Sequence, residues 1–180
     1  PGVFCSVYSV LRTNPDADLV VMVTDDVSDE ACEKLLLVAT RLFYIPCINC
    51  PSTELISKRT QELYSSWIES SYSKWNLLAL PYTTVVYLDS DMIATDNTDH
   101  LFGLRAPAML FNTPYSKPIG ELSYDVPGER GADGYVLHGQ QIEPSYITNH
   151  LQNGPLVGMS CICVFNPLLS DYNLFIETIK

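Results

Sequence analysis

Residues 85–102 read VVYLDSDMIATDNTDHLF, an apolar run that ends in two aspartates one residue apart. A structural strand ordinarily stops in Gly, Asn or a single turn-forming Asp. Two like charges at i and i+2 of an extended chain point the same way and repel. A divalent cation is the commonest group that offsets such repulsion, which makes Asp89 and Asp91 candidate metal ligands.

The surroundings of this stretch alternate in type. Val3, Phe4, Val7, Tyr8, Val10 and Leu11 recur at helical spacing and predict an opening amphipathic helix, ended by Asn14-Pro15-Asp16. LVVMV at 19–23 reads as a short buried strand closed by Thr24-Asp25-Asp26. Ser28 then suits an N-cap, with Asp29 and Glu30 in the first turn of a second helix. A strand over 43–48 and a longer helix over about 60–80 follow, the latter with Leu63, Tyr64, Trp67, Ile68, Trp75 and Leu78 on its apolar side.

Beyond the aspartates, a short helix over 98–104 capped by Asn97 or Thr98 and a strand over 108–111 are expected. Residues 112–144 are rich in Gly, Pro, Tyr and Asp, show no period, and form a connection far longer than usual. A helix over 145–152, a strand over 157–165 and a final helix over 168–180 complete the chain. Short apolar strands alternating with helices predict an α/β fold, with an open, mainly parallel sheet covered on both faces. Ligands of such sheets sit at the carboxyl ends of strands, where Asp89 and Asp91 fall.

Composition narrows the function classes. A chain of 180 residues with 47% hydrophobic content suits one folded domain. The formal net charge of −11 argues against duplex nucleic acid, whose phosphates need a basic face. No apolar run reaches the ~18 residues of a membrane span. The first residues lack a basic n-region and a cleavage site, and no Asn-x-Ser/Thr sequon occurs. Together with Cys32, Cys161 and Cys163, whose patterns suit buried thiols, this leads to the expectation of a reducing, cytoplasmic location. Cys47/Cys50 and Cys161/Cys163 have the wrong spacing for a zinc ribbon or finger.

The stretch YSKWNLLALPYTTVVYLDSDMIATDNTDHLF, at 72–102, resembles the core signature of the glycogenin-like, family 8 retaining glycosyltransferases, closest to their viral, baculovirus-type branch. LVVMVTDDVSDEA and TELISKRTQELYSSWIESSYSKW resemble the segments that precede it in that family. The resemblance runs over about 19–110, is weaker over 151–175, and is absent across the long loop. It implies a GT-A nucleotide-diphospho-sugar transferase fold over residues 1–180, incomplete at both ends, with 112–144 a variable loop.

The same resemblance implies a UDP-sugar donor, Mn2+ or Mg2+ on Asp89 and Asp91, and hexose transfer to an acceptor with retention of configuration. Ser90 lies between the two ligands. Lys74 matches a lysine close to the donor sugar and phosphates, and Arg59 matches a donor-side arginine. A homodimer, common in the family, is a further expectation. The chain departs from the pattern in lacking the opening strand that holds the uracil and the late segment that supplies a metal-binding histidine and a phosphate-binding lysine. Met159-Ser160-Cys161 stand where the family usually has Asn-x-Gly.

Two rival readings share the Asp-x-Asp. A phosphatase-type hydrolase would use the first aspartate as nucleophile and the second as acid/base, but would leave S-K-W and N-T-D-H-L-F unexplained. A non-catalytic nucleotide-sugar-binding homologue would suit the absent ligand segments. His100, His138 and His150 are too scattered for a histidine metal site. Tyr135 and Tyr146 could stack on a sugar but equally serve packing, and Asp25 and Asp26 most simply serve their turn.

Overall fold

A computed structural model describes residues 2–50, 69–111 and 158–179, together with Gln141, Pro144, Ser145 and Thr148. Helix α1 (Gly2–Leu11) leads to strand β1 (Val20–Val23), helix α2 (Asp29–Leu35) and strand β2 (Arg41–Tyr44). A 3-10 segment, Ser70–Ala79, precedes β3 (Val85–Leu88); a second, Asp99–Gly103, precedes β4 (Ala108–Phe111). Strand β5 (Gly158–Phe165) and helix α3 (Leu169–Thr178) close the described chain. The class is mixed α/β.

The local signals explain most of these elements. Asn14 takes a positive φ of 53° just past α1, a conformation Asn tolerates better than most residues and one that stops a helix. Ser28 caps α2 by accepting a hydrogen bond from the Ala31 amide, and Lys34 in the last turn reaches back to Glu30 at 2.6 Å. Thr24 donates to Asp26 in the turn after β1, so Asp26 serves that turn. Strand β2 ends at Tyr44 and not near Ile48, because Pro46 cannot donate to a ladder.

The described strands pair in two sheets. β1 and β2 run parallel, in register Val20↔Arg41 to Val23↔Tyr44. β5 lies between β3 and β4 and is antiparallel to both, so β3 and β4 run the same way. The expectation of a mainly parallel sheet is corrected at this point. Consecutive Cys163 and Val164 are 1% and 2% exposed, so β5 is covered on both faces. A doubly covered antiparallel strand reads as the same continuous apolar run as a parallel one.

The segment before β3 also departs from expectation. Its described part is a 3-10 helix and not a regular α-helix, and it buries Asn76, Leu77 and Leu78 in succession. Leu77 is fully buried and, with Leu78 and Cys163, forms a core joined by Met22, Trp75, Tyr87 and Tyr172. Asn76 is satisfied throughout: its amide donates to the Pro46 and Ser73 carbonyls at 3.0 and 2.8 Å and accepts from Tyr172 at 3.2 Å. Trp75 meets Phe165 edge-on at 5.6 Å and Phe175 at 5.8 Å, seating α3 on this segment.

A second core joins Val21, Val23, Cys32 and Leu35 with Phe4 and Val7 of α1. The two sheets are tied where their strands begin: Tyr82 donates to Asp18 at 3.1 Å, and Arg41 pairs with the same carboxylate at 3.3 Å. Between β1 and β3 lies a cavity of about 670 Å³, lined by residues 20–22 and 85–88 of the two strands. The expected helix over 145–152 and the loop over 112–144 fall almost wholly outside the described residues.

Candidate functional site

Strand β3 delivers Asp89 one residue past its end. The Asp89 amide still donates to the Cys161 carbonyl at 2.8 Å, continuing the ladder from Leu88↔Ile162. The chain then turns, and Met92 N–H closes on the Asp89 carbonyl at 3.1 Å. Asp89 and Asp91 therefore occupy the first and third positions of a turn and not an extended chain, which corrects the alternation expected of them. Asp89, Ser90 and Asp91 all line the cavity, with Ser90 and Asp91 exposed.

The 3-10 segment brings Lys74 to the same place. Its ammonium donates to Asp89 Oδ1 at 3.0 Å and to Ser160 Oγ at 3.1 Å, and lies 5.4 Å from the centre of the Tyr87 ring. Tyr87 Oη donates to the same Oδ1 at 2.8 Å. The Lys74 and Asp89 side chains are only 17% and 29% exposed, so solvent screens this pair less than a surface ion pair. Burial, and next the bond to Asp89, push the Tyr87 hydroxyl far up, keeping it a donor at any ordinary pH. Burial likewise pushes the Cys163 thiol up to about 12, so it stays a packed, inert thiol.

The cluster carries two carboxylates against one ammonium. Its formal charge of about −1 attracts a cation, and the bonds from Lys74 and Tyr87 to the Asp89 side chain both fall on Oδ1. Two carboxylates together with phosphate oxygens suit Mg2+ or Mn2+. Among the described residues, no group of three His, Cys, Asp or Glu side chains could hold a metal, so a third protein ligand is not found there.

The rest of the 85–102 stretch has a different use. Asn97 Oδ1 accepts from the Asp99 amide at 2.8 Å, while its Nδ2 donates to the Thr13 carbonyl at 3.3 Å and to Asp99 Oδ2 at 3.0 Å. Asp99 Oδ2 also accepts from the Asp16 amide at 3.0 Å, and this bond, with that from Asn97, holds its carboxyl below the usual range. Ser9 accepts from the Ala94 amide at 2.9 Å. The loop after the paired aspartates is thus strapped to α1 and its exit, and Leu101 beneath it is buried.

Lys74, Asp89, Ser90 and Asp91 are therefore gathered at one cavity, while Arg59 lies outside the described residues. Tyr87 and Ser160 are site residues that sequence reasoning missed. Tyr87 had a readable signal: it stands two residues before Asp89 on a strand and shares its face. Ser160 reaches Lys74 only through the β3–β5 register, which no local pattern encodes.

No protein-family model matches the chain. It is similar to a protein of Acanthamoeba polyphaga mimivirus named "Uncharacterized protein R707", 31% identical over 116 residues. The match takes in 62% of this chain and 39% of that relative, whose length the chain therefore spans only in part. Among the described residues, no helix is long and apolar enough to cross a membrane.

Proposed function

We propose that the chain is the donor-binding part of a divalent-cation-dependent glycosyltransferase of GT-A type that takes a hexose from a UDP-sugar. The observation that carries the reading is the Lys74–Asp89 pair beside Asp91 at the carboxyl end of a strand, on a cavity of about 670 Å³. An anionic protein that turns carboxylates toward an anionic diphosphate needs positive charge between them, and both sources have a place here. Strands β3 and β4 running the same way around an antiparallel β5 are compatible with the GT-A architecture.

In this reading Asp89 and Asp91 would hold the cation. A bound Mn2+ or Mg2+ would supply Lewis-acid stabilisation of the departing diphosphate. Lys74 turns its ammonium to a phosphate oxygen of the donor and stabilises charge that grows as the anomeric bond breaks. Tyr87, a permanent donor, holds the Asp89 carboxylate through Oδ1 and restrains its rotation. The transition state is oxocarbenium-like, as in glycoside chemistry generally. No nucleophile is assigned, because a front-face transfer, in which the departing phosphate takes the acceptor proton, requires none.

The test is release of UDP from a panel of UDP-hexoses with Mn2+, with and without EDTA, by the wild type and by Asp91→Asn. UDP release that needs both the metal and Asp91 supports the reading. Release of inorganic phosphate from simple phosphate esters, with UDP-sugars untouched, would replace it with a phosphohydrolase.

A further inference from the structure

We propose that Lys74 is a charge placeholder in the cation site: its ammonium competes with a divalent cation for Asp89, so that cation and diphosphate bind as a pair. The inference rests on the reading of Asp89 and Asp91 as metal ligands. It starts from the position of the ammonium, 3.0 Å from Asp89 Oδ1 and mostly shielded from water. Like charges repel most where screening is weakest, so a cation arriving alone on Asp89 meets an ammonium already seated there.

The surroundings keep that ammonium in place. Ser160 Oγ is a neutral acceptor at 3.1 Å, and the Tyr87 ring face lies 5.4 Å away. Tyr87 donates to the oxygen that Lys74 uses, so Asp89 remains hydrogen-bonded while its charge is shared. A diphosphate changes the balance by adding negative charge that both the cation and the ammonium can share. The placeholder then becomes a ligand for the phosphate, and the cost it imposes on the cation disappears. Cation and nucleotide should therefore be positively coupled, with Lys74 the source of the coupling.

The prediction has opposite signs for two ligands, which a merely structural lysine would not produce. Mn2+ alone is titrated by electron paramagnetic resonance into wild type, Lys74→Met, Lys74→Arg and Asp91→Ala, and UDP is then titrated at saturating Mn2+. Lys74→Met should bind Mn2+ alone about tenfold more tightly and UDP about tenfold more weakly. Lys74→Arg, which keeps the charge, should bind Mn2+ alone within about twofold of wild type. Lys74→Gln keeps hydrogen-bonding capacity without charge and serves if the Met variant does not fold.

Mn2+ affinity that falls or stays unchanged in both neutral variants, while Asp91→Ala still abolishes binding, overturns the placeholder and leaves the metal site standing. Absence of Mn2+ binding by wild type and neutral variants alike overturns the metal-site reading, and the placeholder with it.

Discussion

Two aspartates of one 18-residue stretch, Asp89 and Asp99, are held in opposite ways. Asp99 accepts from the Asp16 amide and from its own loop's Asn97 side chain, and it ties the loop to the exit of α1. Asp89 accepts from an ammonium and a phenol on one oxygen and lines a cavity. A carboxylate committed to amide donors of the surrounding loops is spent on the fold. One paired with a cationic side chain keeps a charge that a competing cation can share. The comparison separates a strap from a site within a single motif.

The largest effect should come from the core that packs Trp75 and Tyr87. Leu77→Ala opens a cavity beneath Lys74 in the fully buried core and should cost about 2–5 kcal/mol in urea unfolding, lowering UDP affinity as well. A smaller, selective change is expected at the strap. Asn97→Ala removes three hydrogen bonds, one of them a turn-closing acceptor, and should cost about 1–2 kcal/mol. Its Mn2+-dependent UDP affinity should stay within about twofold of wild type once folded.

Tyr87→Phe should show the reverse pattern. It deletes one bond to Asp89 and should cost about 1 kcal/mol of stability, yet weaken Mn2+-dependent UDP binding several-fold by freeing the carboxylate to rotate. Equal losses of UDP affinity in Asn97→Ala and Tyr87→Phe would erase the distinction between strap and site.

The smallest effect concerns acid. The folded-state carboxyl of Asp99 titrates below its unfolded value, so its contribution to stability is present above the ordinary carboxylate range. It is lost as pH falls through the lowered folded value. Thermal melts from neutral to acid pH should show wild type losing stability in that acid window, with a shallower slope for Asp99→Asn.

The sequence made the local features legible. Apolar runs at 19–23 and 85–88, the Ser28 cap and the Asn14 stop are written in neighbouring residues, and the structure places them accordingly. Asp89 and Asp91 stood out as paired carboxylates at the end of an apolar run, and Lys74 through the resemblance of the stretch that contains it. What was not legible depended on long-range register. The direction of β5 is hidden because burial on both faces erases alternation, and Ser160 enters the site only through that strand's pairing. The extended geometry expected of Asp89 and Asp91 failed because the strand ends at Leu88 and the chain turns at once.

The central claim is that the paired aspartates bind a nucleotide through a divalent cation. Calorimetric titration of UDP into the protein, with Mn2+ and again with EDTA, beside Asp91→Ala, tests it most directly. The account predicts binding that needs both the metal and Asp91, while the exposed position of Asp91 leaves thermal stability within about 0.5 kcal/mol of wild type. UDP binding that persists unchanged in EDTA or in Asp91→Ala, or no binding under any condition, would contradict it.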